Sequence, residues 1–219
     1  MTDTTITETT ASSRAWLRIF ALVYDPFLWL GEVAGLRKRR KALLANARGR
    51  VVEIGAGTGL NAAHYPDDDR ICELVLTEPD AAMRRKLARC LRLRGREARI
   101  VDAPAECLPF PDASVDTIVS TLVLCTVEDP ERTLSEIARV LRTDGQLLFI
   151  EHVRANSRFL AACQDFLFLP WRRFAAGCCC NRPTVEFLRA CGFDVAAEDF
   201  AWRGMPAIVR PLVVGQASP

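Results

Sequence analysis

The run Val51-Val52-Glu53-Ile54, followed by Gly55-Ala56-Gly57-Thr58-Gly59, constrains this chain more than any other segment. An apolar, β-branched strand that breaks into glycines at alternate positions describes a backbone that turns sharply and lies flat against whatever it holds. A residue without Cβ takes positive φ freely and lets another group come close. Strand-to-helix turns of this kind cradle nucleotide-type cofactors. The spacing is G-x-G-x-G and so departs from the G-x-G-x-x-G of dinucleotide sites. Glu78 follows nineteen positions after Gly59, at the end of a second apolar run, Leu74–Thr77. A carboxylate there can accept from both hydroxyls of a ribose, which suits an adenosyl ligand and would repel a 2'-phosphate.

Beyond the turn, strands and helices alternate. Strands are predicted at Val51–Ile54, Leu74–Thr77, Arg99–Val101, Asp116–Ser120 and Gln146–Ile150, the last entered through Asp144-Gly145. Helices are predicted to start at Leu60–Tyr65 and to cover Ala81–Leu93 and Glu131–Leu141, where Leu134, Ile137, Ala138 and Leu141 share one face. Such alternation implies a parallel sheet covered on both faces, with ligands beyond the carboxyl ends of its strands. Thr184–Ala190 reads as a short helix with Gly192 as its C-cap. Val195–Phe200 and Ala207–Val214 then follow with no helix between them, which predicts an antiparallel hairpin at the sheet edge.

The length, 219 residues, fits one domain. Residues 1–13 are threonine-rich and poor in large apolar side chains, so a disordered tail is expected there. Residues 14–48 form a helical cap, with Trp16, Phe20, Val23, Phe27 and Leu30 at helical spacing and a break at Tyr24-Asp25-Pro26. The cofactor-binding core is expected at 49–153, a lid and helix at 154–193, and the closing hairpin at 194–219. Phe159–Ala176 is apolar, but Asp165, Pro170, Arg172 and Arg173 interrupt it, so it reads as a lid helix and not a membrane span.

Charge excludes other classes. With 29 basic and 27 acidic residues the chain has no field to attract nucleic acid. Arg37–Lys41 is read as a solvated helix face, with weak contact to an anionic membrane surface or an acidic substrate as the second reading. The start of the chain has no basic region leading into an apolar core, and the nine cysteines are odd in number, so a reducing cytoplasm is expected. No metal is expected either. Cys178-Cys179-Cys180 cannot easily direct three side chains at one ion, and no C-x-x-C pair or nearby histidine completes a zinc site.

Together these segments resemble the class I S-adenosylmethionine-dependent methyltransferases across nearly the whole chain. The resemblance rests on Glu53–Gly59, on Thr77-Glu78-Pro79-Asp80, on Ala105–Asp116 with its Leu108-Pro109-Phe110 segment, and on Glu136–Arg142 with Gly145. It implies a Rossmann-like α/β fold whose seven-stranded sheet has the order 3-2-1-4-5-7-6, with strand seven antiparallel. S-adenosylmethionine is the implied cofactor. Glu53, Gly55, Ala56, Gly57 and Gly59 should face its methionine and ribose parts, Glu78 its ribose hydroxyls, and Pro79 and Met83 its adenine. Ala105 and Glu106 should flank the other side, with Thr121 at the end of strand four. Pro104 stands where many relatives have aspartate, so the adenine acceptor is left among Asp102, Glu106 and a backbone carbonyl.

Within the class, Ser120–Val127, Phe149–Val153, Trp171 and Gly177-Cys178 are similar to the alkyl-thiol methyltransferases and their bacterial relatives. That likeness implies a small, apolar substrate, with a thiol ahead of a phenol, quinone, amine or phospholipid headgroup. A thiol needs little activation, because it is already a few per cent thiolate near neutral pH, whereas a hydroxyl requires a base. His152 is the candidate base, and Tyr24 from the cap could approach the sulfonium with its ring face. Tyr24, Phe27, Cys125, His152, Phe166 and Trp171 are the expected pocket walls.

Overall fold

The computed structural model describes residues 25–219. The tail at 1–13 and the cap residues Trp16, Phe20, Val23 and Tyr24 lie outside the described residues.

β1 (Gly49–Ile54) is buried along its last four residues, and parallel strands flank it on both sides. On one side lie β2 (Ile71–Thr77) and then β3 (Arg99–Val101); on the other lie β4 (Val115–Thr121) and β5 (Leu141–His152). β7 (Pro211–Ser218) runs antiparallel to both β5 and β6 (Asp194–Ala201). The order is therefore β3-β2-β1-β4-β5-β7-β6, as the resemblance implied. Val51 packs into the cluster on one face with Leu76, Leu87 and Leu148, while Val52 packs into the other with Ile118, Leu134 and Ile137. Adjacent residues of one strand thus both find a core, which is why the strand reads as a continuous apolar run.

The helices begin and end where their side chains dictate. α1 (Arg37–Leu44) continues a helical stretch that is π-helical at Glu32–Leu36 and kinked at Gly35, where φ is +137°. α2 (Ala81–Arg94) starts at Asp80, whose carboxylate accepts from the N–H groups of Ala82 and Met83. α3 (Pro130–Val140) starts with Asp129 accepting from Arg132 N–H and buries Leu134, Ile137 and Val140. α6 (Thr184–Ala190) is followed by Gly192 at φ +91°.

Five local expectations are corrected. Leu60–Tyr65 is a series of turns and not a helix: Ala62 N–H bonds Gly59 O and His64 N–H bonds Asn61 O, three residues back, as Asn61 and Tyr65 turn inward. The apolar stretch after β5 is two helices, α4 (Arg158–Phe166) and α5 (Phe168–Phe174). β5 begins at Leu141 and runs through Asp144-Gly145. Ala207–Val209 is a 3-10 turn, and its strand begins at Pro211. Finally, the basic cluster is not wholly solvated. Arg40 is buried, its Nε 2.9 Å from Glu32 and its guanidinium 3.0 Å from Asn61 Oδ1.

Candidate active site

The glycine turn closes over the carboxyl end of β1, with φ of +55° at Gly55 and +57° at Gly57. A Cβ on Gly55 would lie 2.7 Å from Val123 Cγ2, whereas one on Gly57 would meet only Gly55 O, at 4.0 Å. Gly55 is therefore fixed by packing, and Gly57 leaves open space. Glu78, at the end of the neighbouring strand, accepts from Gly57 N–H through Oε2 and from Asp80 N–H through Oε1, each at 2.8 Å. Burial pushes its carboxyl above the ordinary range, and those two N–H groups oppose the shift.

Behind the turn lies a polar network with Glu53 at its centre. Glu53 accepts from Asn61 Nδ2 at 2.9 Å and from Tyr65 OH at 2.6 Å, while Asn61 also donates to Thr121 Oγ1. Burial pushes the Glu53 carboxyl up to about 7, against the two hydrogen bonds and the Arg40 charge. This support keeps the turn rigid from below.

A cavity of about 460 Å³ opens in front of the turn. Its polar end is lined by Gly55, Gly57, Glu78, Pro79, Met83, Pro104, Ala105 and Glu106, and its apolar end by Phe27, Cys125, His152 and Trp171. The size and the pattern of few polar groups on apolar walls suit a small-molecule site. Glu53, Ala56, Gly59 and Thr121, expected to face the cofactor, do not line it; they hold the turn from behind. Phe166, expected as a wall, is 85% exposed and points away. Asp102 is paired with Arg84 at 2.6 Å and lies outside the lining, whereas Glu106 is part of it.

Several lining or supporting residues were missed in the sequence. Trp202 and Met205 reach the apolar end from the connection between β6 and β7, where no periodic pattern marked them, and Val209 reaches it from a segment expected as strand. Glu151 is buried and accepts from Ser120 Oγ at 2.6 Å and from three successive amides, Val123, Leu124 and Cys125, at 3.0 to 3.2 Å. It holds the turn after β4, which passes through Leu122 in the left-handed region, φ +61°. An acid next to the candidate histidine was the available signal.

His152 is also not isolated. Its Nδ1 lies 3.4 Å from Cys125 Sγ and 3.6 Å from Cys178 Sγ, so the absence of a histidine near the cysteine triplet is overturned. The loop after α5 returns past the end of β5, and Cys179 N–H bonds Cys125 O to fix it there. The contact between the two sulfurs holds the Cys178 thiol well below its ordinary range and pushes Cys125 well above, so Cys178 ionises first.

The comparisons with known proteins agree with this fold. Residues 52–149 match a methyltransferase domain family. The human thiol S-methyltransferase TMT1B is 35% identical over 157 residues, which cover 69% of this chain and 63% of that protein. A phosphatidylethanolamine N-methyltransferase of Cereibacter sphaeroides is 34% identical, with 73% of this chain and 77% of that protein covered. Among solved structures, a possible histamine N-methyltransferase of Thermotoga maritima superposes with a TM-score of 0.67 at 22% identity, covering 94% of this chain and 99% of that one. The chain belongs to the class I S-adenosylmethionine-dependent methyltransferases. Its alignment spans less than two thirds of the human thiol methyltransferase. No helix among the described residues is long and apolar enough to cross a membrane.

Proposed function

We propose that this methyltransferase binds S-adenosylmethionine at the polar end of the cavity and S-methylates a small, apolar thiol at the other end. The single cavity that joins the Gly57–Glu78 edge to a wall of Phe27, Trp171, Trp202 and Met205 carries this reading. Glu78 accepts from the ribose hydroxyls, Pro79 and Met83 pack on the adenine, and the sulfonium points toward His152 and Cys125. The sulfur nucleophile attacks the methyl carbon in line as the bond to the sulfonium breaks. Alignment at about 3 to 3.5 Å is worth up to roughly 7 to 11 kcal/mol of the barrier. The thiol is supported by the thiol methyltransferase relative and by an acceptor chemistry that needs no strong base.

A methyl-transfer assay with an alkyl thiol, a phenol, an amine and phosphatidylethanolamine tests the reading. S-methylation of the alkyl thiol is the expected result, and turnover confined to the amine or the phospholipid overturns it. The phospholipid methyltransferase relative supports that second acceptor.

A further inference from the structure

Three side chains at the apolar end of the cavity are given no chemical step in the methyl-transfer scheme above. Cys125 leaves the turn after β4, His152 ends β5, and Cys178 follows α5; all three are buried and all three line the cavity. Their Sγ, Nδ1 and Sγ atoms form a triangle with edges of 3.4, 3.6 and 3.9 Å. Ligands on a tetrahedral zinc ion, at about 2.3 Å for sulfur and about 2.0 Å for nitrogen, stand about 3.5 Å apart for a sulfur–nitrogen pair and about 3.8 Å for two sulfurs. The observed edges match that face of a tetrahedron within a few tenths of an ångström.

We propose that Cys125, His152 and Cys178 bind one zinc ion, with the fourth position open to the cavity. The donor set, two thiolates and an imidazole, is the soft and borderline combination that selects zinc over magnesium or calcium. Hydrogen bonds hold each ligand in place. Cys125 N–H bonds Glu151, His152 pairs with Leu212 across β5 and β7, and the cysteine triplet is tied to the turn through Cys179 N–H. Metal entry needs little rearrangement. His152 Nε2, which carries the proton when Nδ1 ligates, is buried without a partner among the described residues.

The role of the ion rests on the thiol reading given above. Two thiolates, one neutral imidazole and a divalent cation sum to zero charge, and binding of the ion releases the protons these three groups carry. A substrate thiol taking the fourth position loses its proton to solvent and binds as thiolate, so the site becomes singly negative opposite the positive sulfonium. Its sulfur lone pair forms the new bond to the methyl carbon, and the old bond's electron pair returns to the adenosyl sulfur. The products are a neutral thioether, a weak zinc ligand that departs, and neutral S-adenosylhomocysteine.

The test is metal analysis of the full chain, reconstituted with zinc under reducing conditions and desalted. Stoichiometric zinc is expected in the wild type and in Cys72→Ser, an exposed thiol. Cys125→Ser and Cys178→Ser should each lose most of it. Wild-type protein that holds no more zinc than these variants overturns the proposal. If the variants fail to fold, the wild type alone decides: zinc should protect Cys125 and Cys178 from alkylation mapped by mass spectrometry, and equal labelling with and without zinc overturns the site. Cobalt substituted for zinc should show thiolate-to-metal charge transfer that shifts when an alkyl thiol is added, and an unresponsive spectrum removes the open position. Stoichiometric zinc in a protein that methylates no thiol keeps the metal site and removes the thiol reading. Full thiol turnover after chelation keeps the thiol reading and removes the ion's role in it.

Discussion

Glu78 Oε2 accepts the backbone N–H of Gly57 at 2.8 Å, so the tip of one strand holds the turn that ends its neighbour. The carboxylate has lone pairs to spare for two hydroxyl donors. Glu78→Ala should therefore weaken S-adenosylmethionine binding by roughly 10- to 100-fold, the scale of one or two hydrogen bonds to a charged group. Isothermal titration calorimetry measures this, and an unchanged Kd would remove Glu78 from the cofactor site.

The two glycines of the turn should respond differently to alanine. Both have positive φ, which costs an alanine about 1 kcal/mol. At Gly57 nothing else opposes the new methyl, so the fold should survive with that modest loss while cofactor affinity falls, because this position faces the cavity. At Gly55 the methyl meets Val123, and the clash should cost roughly a further 1 to 3 kcal/mol. Urea denaturation of both variants ranks them, and Gly55→Ala,Val123→Ala should regain part of the loss.

Glu53 sets a pH dependence of stability. Its carboxyl is raised from 4.5 to about 7 in the folded chain, so between those values the folded state binds more protons than the unfolded state. Stability from this group is full below about pH 4.5 and falls as pH rises through 7, by about 3 kcal/mol at most. The difference in denaturation midpoint between wild type and Glu53→Gln, followed from pH 5 to 8, should show this slope. Parallel curves would rule it out.

Arg40 and Glu32 form a buried ion pair whose halves depend on each other. Arg40→Leu leaves Glu32 buried without its partner and should cost about 3 to 5 kcal/mol, whereas Glu32→Leu,Arg40→Leu should recover most of that loss. Thermal unfolding of the two variants distinguishes this from a simple loss of helix surface.

The sheet was legible in the sequence because buried parallel strands leave continuous apolar runs, and the missing crossover before β7 gave away the antiparallel edge. The polar half of the cavity was legible because Gly57 and Glu78 follow from backbone geometry and hydrogen-bonding capacity. Arg40 was misread because a charge run on one helix gives no sign of a buried acid eight residues, about two turns, away. Trp202 and Met205 were missed because a loop has no periodicity, and the grouping of His152 with Cys178 depends on where a distant loop comes to rest.

The turn after β4 is used from both sides. Its amides are held by Glu151, while its carbonyls receive the later chain: Cys125 O accepts Cys179 N–H, and Leu124 O and Val127 O accept the Arg182 guanidinium. The roof of the cavity is thus bonded to main-chain atoms, which any sequence supplies. Side chains of residues 154–193 other than Arg182 can be exchanged without loss of these bonds, and the Gly57–Glu78 edge takes no part in them. The molecule is in this sense a holder and a mould joined at one bend.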